Sequence, residues 1–410
     1  MSVLLLAVMA ADWNGFRGGA GDGVALWSRP PVGFSETRNI RWRVSLDGKS
    51  WSSPVVAGDR VWMTNATEDG RELSAVCIDL NSGETLFDEV VFEVKEPQEI
   101  HAFNSHASPT PTFDAERVYL SWGAYGLAAL DRETFARVWL RRDLPCNHWR
   151  GPGSSPVVHE DSVLLNYDGY DFQYVVCFDA ATGRTRWRTD RPHHFGSDDG
   201  DRLKAYATGL VLTPGDGVDV SQFVVPASFG VFSYDVETGE ELWRAGTSRF
   251  SPASRPVLGR VDGRPQLFVA SGFGKGEVVA IDPRPGVEDR VVWTQQKTMP
   301  NKPSPVFFEG RLYCVSDKGV LVTLDAATGE VLAQTRLKGN YTASPLLVGG
   351  PDGPLLVVAD ESGRVLMVTA TDDPEVVMEN AVGDGMLASP APVEDGLLLR
   401  TKGGLIRIGS

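Results

Sequence analysis

The sequence has no adjacent cysteine pair, no C-x-x-C and no C-x-x-C-H. Its four cysteines, Cys77, Cys146, Cys177 and Cys314, are scattered along 410 residues. That scatter argues against a disulfide framework or a zinc site and reads as buried free thiols. Basic residues are in the minority, 39 Lys and Arg against 54 Asp and Glu, for a net charge of −15. Such a chain repels nucleic-acid phosphates and anionic bilayers, so neither nucleic-acid binding nor membrane insertion is expected. H-E-x-x-H and G-x-S-x-G are both missing. The G-x-G-x-G of "SGFGKGE" at 271–277 opens no helix, which leaves tight turns rather than a phosphate loop. Amphipathic helical periodicity is absent as well.

In its place stand short Val-, Leu- and Phe-rich runs bounded by Gly, Asp and Pro, with 44 glycines and 26 prolines in all. Runs of that kind read as strands. They recur in a fixed order. A Ser-Pro-type start occurs at "SSPVV" 52–56, "ASPTP" 107–111, "SSPVV" 154–158, "PSPVF" 303–307, "ASPLL" 343–347 and "ASPAP" 388–392, with variants "ATGLV" 207–211 and "SRPVL" 254–258. A second strand follows each start. A third strand then ends in Asp (Asp79, Asp131, Asp179, Asp235, Asp282, Asp325), and a fourth often carries Trp (Trp139, Trp187, Trp243, Trp293). Four antiparallel strands per ~45 residues, eight times over, predict an all-β, eight-bladed β-propeller. The eighth unit stops after three strands. "RNIRWRVSL" at 38–46, with Trp42, supplies the fourth and closes the ring. The repeated Asp caps its turn, Gly after Thr permits positive φ, and Trp fills the wedge between blades. The repeated residues are therefore structural, and function belongs to the loops that differ.

The Ala-Ser-Pro starts and Asp-Ala-x-Thr-Gly-x-x-x-Trp endings resemble the PQQ-like repeats of eight-bladed quinoprotein dehydrogenases and of the outer-membrane assembly lipoprotein BamB. "DWNGFRGGAGDGVA" at 12–25, "CNHWRGPGSSPVV" and "YDGYDFQYVV" are similar to segments of exported bacterial PQQ-like propellers of undetermined activity. The resemblance implies an extracytoplasmic protein. Val8 and Ala10 suit a signal-peptidase site, so residues 1–10 are read as a signal peptide, 11–37 as a lead-in segment and 38–410 as one propeller domain. The missing cysteine pair, haem motif and lipid-modified Cys count against cofactor-dependent oxidation and membrane anchoring. The location expected is periplasmic or cell-envelope, soluble and without a lipid anchor.

Strand parity puts the Asp/Thr-Gly turns on one face of the ring and the divergent loops on the other, where function on a repeated scaffold resides. The divergent loops offer His106, His148, Asp168, Gln173, Lys204, Asn301, Lys302, Asp317, Lys318, Asn340 and Lys402 as candidate ligand-binding residues. No catalytic residue and no metal ligand is assigned. The favoured reading is a non-catalytic, monomeric propeller, without a cofactor, that binds an envelope protein, peptide or polysaccharide on this polar face. The alternative is a PQQ-dependent dehydrogenase with calcium, for which Lys204, Lys302, Lys318, Asn301 and Asp317 are the right residue types.

Overall fold

The computed structural model describes residues 12–191 and 198–409. The expected signal segment 1–10 lies outside them. The described chain forms eight sheets, each built on four antiparallel strands that make one blade of a propeller, one sheet carrying a short fifth strand, with three single-turn 3-10 helices. Among the described residues no helix is long and apolar enough to cross a membrane.

Each blade's inner strand begins immediately after its Ser-Pro-type dipeptide: Val55–Ala57, Val157–His159, Val257–Val261, Val306–Phe308, Leu346–Gly349 and Ala391–Val393. Blade 4 begins its strand Leu210–Leu212 after Thr208-Gly209. In blade 2 the inner strand is Thr112–Phe113, so the working dipeptide is Thr110-Pro111. The Ser108-Pro109 seen in the sequence lies two residues upstream, in the entering loop.

The repeated Asp does what its position asks. Asp79 Oδ1 accepts from the backbone N–H groups of Asn81 and Ser82 at 3.0 and 2.7 Å, and Asp235 Oδ1 from those of Glu237 and Thr238 at 2.9 and 2.8 Å. These bonds favour the charged form and hold Asp79 below the usual carboxylate range.

The Trp and the Gly of neighbouring blades form one joint. Trp42, Trp139, Trp187 and Trp293 each donate Nε1–H to the carbonyl just past the next blade's Asp: Leu80, Ala180, Val236 and Ala326, at 2.8–3.0 Å. Their rings lie flat on Gly83, Gly183, Gly239 and Gly329, where any Cβ would come within 2.9 Å of the indole. Trp243 departs from the set. It faces blade 5, whose turn is Asp282-Pro283 without Thr-Gly, and its Nε1–H goes to Gln222 Oε1 at 2.8 Å. At the blade 1–2 joint both partners change together. Phe87 replaces Trp, Phe135 replaces Gly, and the two rings stack at 5.0 Å.

The ring closes as the sequence predicts. Ile40–Ser45 pairs antiparallel with Gly404–Gly409 as the outer strand of blade 8, with Val44 opposite Leu405. The joint between blades 8 and 1 also encloses Arg400. Its guanidinium is buried with no hydrogen bond among the described residues, and burial lowers its pKa to about 10 against the pull of Asp384 and Asp88. An uncompensated buried charge makes this joint costly to hold.

The lead-in is part of the ring rather than a leader to it. Trp13 exchanges backbone hydrogen bonds with Val56 of blade 1 at 2.8 and 3.0 Å. The Asn14 side chain pairs with Phe113 N and O of blade 2 at 2.8 and 2.7 Å. Arg17 donates to Ser304 O and Pro305 O of blade 6 and to Pro345 O of blade 7, at 3.1, 2.6 and 3.4 Å. Val24–Ala25 then adds a short parallel strand to blade 7, and Ser28 Oγ donates to Val393 O of blade 8 at 2.7 Å. The segment crosses the central channel and leaves between blades 7 and 8. Its glycines make the crossing possible. Gly21 and Gly23 both have φ near +70° and lie so close to Arg255 and Arg17 that a Cβ would overlap each guanidinium.

Candidate functional site

Where the divergent loops meet, the channel opens into a cavity of about 430 Å³. Phe16 of the lead-in forms its floor, so the channel is blind. Above the floor stand six hydroxyls, Ser53, Thr110, Ser155, Thr208, Ser344 and Ser389, each from the residue before an inner-strand Pro or, in blade 4, Gly209. They are linked around the ring. Ser53 N–H donates to Thr110 Oγ1, Thr110 N–H to Ser155 Oγ, and Ser155 N–H to Thr208 Oγ1, at 3.1, 2.9 and 2.9 Å. Ser344 N–H donates to Ser389 Oγ and Ser389 N–H to Ser53 Oγ, at 2.9 and 3.1 Å. Blade 5 breaks the series with Arg255, whose N–H donates to Ser304 Oγ at 2.9 Å. The Arg255 guanidinium turns back to bond Phe16 O and Gly209 O, fastening the floor.

Arg17 and Arg255 are buried and bonded only to carbonyl oxygens among the described residues. Burial lowers their pKa to about 9 and about 10, with Asp22 opposing the shift, so both stay charged at neutral pH. Higher in the wall the two lysines each have an acidic neighbour. Lys204 Nζ donates to Asp201 Oδ1 at 2.6 Å, and Lys302 Nζ lies 3.3 Å from Glu361 Oε1 and 3.7 Å from Asp317 Oδ1. Asp317 also accepts Asn301 N–H at 2.7 Å. The loop carrying His101 and Phe103 arches over the mouth. Trp51 Nε1–H and Lys49 Nζ donate to Phe103 O and Ala102 O, both at 2.8 Å, and the ring of Phe103 reaches Lys302 on the far side, 5.5 Å from Nζ. Phe273, 67% exposed, forms another edge of the mouth.

Four of the eleven sequence candidates, Lys204, Asn301, Lys302 and Asp317, line this cavity. Lys318, Asn340 and Lys402 are exposed residues outside its lining, the first two linked by a bond of 3.2 Å. Four others are buried among protein partners. Asp168 forms a closed ion pair with Arg191 and accepts from Asn166 Nδ2 at 3.0 Å. Gln173 Nε2 donates to Gly169 O at 2.7 Å, and the imidazole of His106 bonds Gln98 O at 3.2 Å. His148 Nε2 accepts the Ala124 N–H at 2.9 Å. Strand parity places a residue at one end of a blade. It does not tell whether the side chain turns to the axis or into the joint between blades. The Phe16 floor, the aromatic rim and the hydroxyl ring were not read from sequence as site features. Their one signal was the recurrent Ser or Thr before Pro, taken there as a strand start.

His148 supplies a pH test of the fold. Burial lowers its pKa from 6.5 to about 4, with Asp171 pulling weakly the other way. The unfolded chain takes up this proton near pH 6.5, the native protein only near pH 4. The associated stability is therefore complete above the upper value and is lost as pH falls through the window, by about 3 kcal/mol at its lower end. Denaturant melts at pH 7 and pH 4.5 should show this loss, and His148→Gln should reduce it. An unchanged difference in the variant would assign the effect elsewhere.

The fold raises the question of a quinone cofactor with calcium. Arg150, Lys204 and Lys302 in the lining suit a ligand's carboxylates. Calcium asks for six to eight oxygen ligands. Here Asp317 is the one acidic residue of the lining, it is engaged by Asn301 and Lys302, and no cluster of three His, Cys, Asp or Glu side chains suited to a metal occurs among the described residues. No cysteine lines the cavity, and all four are buried free thiols. The residues present do not fit the quinone–calcium pair.

Solved structures similar to this chain are a europium-containing methanol dehydrogenase (12% identity, 96% of this chain and 90% of that one, TM-score 0.73) and BamB from Moraxella catarrhalis (14%, 90% and 98%, TM-score 0.61). A quinohemoprotein alcohol dehydrogenase from Comamonas testosteroni is also similar (12%, 97% and 80%, TM-score 0.69). At these identities the likeness is one of fold. No curated protein sequence matches. The family described as outer membrane protein assembly factor BamB matches residues 32–223, 154–289 and 274–372, together well over half of the sequence, and the chain belongs to that family.

Proposed function

We propose that this propeller is a non-catalytic extracytoplasmic binding protein that takes part of an envelope protein, peptide or polysaccharide into the mouth of its channel. The observation that carries the reading is the blind cavity of about 430 Å³, walled by Lys204, Asn301, Lys302 and Asp317 and roofed by Trp51 and Phe103. Pockets of this size hold one or two building blocks of a chain. Aromatic rings over a polar wall suit sugar faces or peptide side chains, and the rest of the ligand would lie along the exposed rim. A lining with a single carboxylate does not offer the facing pair that glycoside hydrolysis requires.

Replacing Lys302 with Ala tests the assignment, and Lys318→Ala, outside the lining, is the control that should leave affinity unchanged. Affinity for envelope polysaccharide or peptide fractions should fall about tenfold, equivalent to about 1.4 kcal/mol. The melting temperature should change little, because the Lys302 ion pairs are long, at 3.3 and 3.7 Å, and partly open to solvent, where such pairs contribute only about 0–1 kcal/mol each. Unchanged affinity, or unfolding in place of ligand loss, would count against the site. Titration with PQQ and calcium gives the complementary check: the binding reading expects no heat and no dye-linked oxidation.

A further inference from the structure

We infer that the hydroxyl ring at the base of the cavity is an oxyanion seat, which receives a terminal carboxylate or phosphate of the ligand held at the mouth. The inference rests on the reading of the mouth as a binding site and names the chemistry of what enters first.

The argument is an account of donors. A serine or threonine hydroxyl has one proton to give and two lone pairs. Each of the six hydroxyls of the ring spends a lone pair on an N–H of the neighbouring blade: Thr110, Ser155, Thr208, Ser389 and Ser53 as described, and Ser344 from Ser304 N–H at 2.9 Å. None of the six donates its own proton to another described residue. The ring thus turns its accepting sides to the scaffold and keeps its protons for the channel. A ligand there meets donors, as an acceptor requires.

Charge agrees. Arg17 and Arg255, two cations with Asp22 as their shared acidic neighbour, flank the floor with their guanidinium groups bonded to carbonyl oxygens, whereas Asp201, Asp317 and Glu361 outnumber the two lysines they accompany nearer the mouth. The positive potential is therefore deepest at the bottom, where water is scarcest and charge-assisted hydrogen bonds are strongest. The acidic chain as a whole repels anions, so attraction is local to this depth. Phe16 and the lead-in that carries it cross the channel behind the ring, which favours entry by the end of a chain. The shared chemistry is an oxyanion with two or three exposed oxygens. A uronic-acid or peptide terminus would bring a carboxylate, and a phosphorylated sugar would bring a phosphate.

Calorimetric titration of the full chain with inorganic phosphate, glucuronate and glucose tests the seat. At least one of the two anions should bind, more than tenfold tighter than glucose, and the one that binds tells carboxylate from phosphate. Ser155→Ala with Ser344→Ala should weaken the anion at least tenfold, while Thr208→Ser, which keeps the hydroxyl, should not. The alanine changes also remove acceptors from the scaffold. Phe16→Trp is therefore the second variant: it leaves every hydroxyl in place, fills the base and should abolish anion binding. Equal affinity for glucose and both anions, or anion binding untouched by Phe16→Trp, overturns the seat. If neither anion binds while an envelope polysaccharide or peptide still does, the seat falls and the binding role stands. If none of these ligands binds, both fall.

Discussion

Deletion of residues 1–46 should yield aggregated protein and no cooperative thermal transition. The outer strand Ile40–Ser45 would be lost, leaving Gly404–Gly409 as an unpaired apolar edge, which is a template for association. Trp42 would leave its place on Gly83, and truncation of a buried aromatic alone costs about 3–5 kcal/mol. The bonds of Trp13, Asn14 and Arg17 to blades 1, 2, 6 and 7 would go with it. The surviving joint would still enclose the unpaired Arg400. Size-exclusion chromatography and circular-dichroism melts provide the readout. A soluble deletion variant with one cooperative transition would refute closure by the N-terminal strand. Trp42→Ala in the full chain is the milder form, expected to fold and to lose about 3–5 kcal/mol.

The second large effect concerns one methyl group. Gly183→Ala should lower stability by about 2–5 kcal/mol, the sum of a left-handed backbone penalty of about 1–2 and an overpacking penalty of about 1–3. Gly183 has φ +69°, and its Cβ would sit 2.6 Å from Cδ2 of Trp139. Gly58→Ala is the control: its φ is +60°, but nothing lies within 4 Å, so only the backbone term of about 1–2 kcal/mol remains. Denaturant melts of both variants isolate the contact with tryptophan. Equal losses would mean that the repeated glycine answers to the turn alone. The blade 1–2 joint argues that it does not. There Phe135 occupies the glycine position at φ +63°, opposite the smaller Phe87 rather than a tryptophan.

These joints explain why the fold was legible. Trp, Gly and Asp of one repeat satisfy the next, so their spacing is a three-dimensional contact written at four joints and varied at two more. Even the variations are consistent: Phe135 accompanies a change of the facing ring to Phe87, and Asp282-Pro283 a change in the bond that Trp243 makes. The site was less legible because its parts do not recur. Phe16 comes from a segment outside the repeat, and its position depends on Arg255, more than two hundred residues away in sequence. His148 sits in a loop and Asp168 at the end of the strand Ser162–Asp168, yet their side chains are taken up by protein partners, Ala124 N–H and Arg191. Whether a polar side chain points to an axis or a neighbour depends on packing that one repeat does not encode.

The lead-in also bears on when the molecule becomes whole. Residues 13–45 are made before any blade, yet their partners run from Val56 to Ile408, the near and far ends of the ring. Early blades can assemble pair by pair during synthesis, because each contacts only its neighbours. Trp13 and Asn14 can find blades 1 and 2 early, but Ile40–Ser45 must wait unpaired until the last blade emerges, and the stretch between has to be enclosed as the walls close around it. Loop-closure entropy over nearly the whole chain is met in that single step, so the final event of folding should be the slow one. The hydroxyl ring, which takes Ser389 from blade 8, would then be completed last, and a chain interrupted before blade 8 would have blades around an incomplete site.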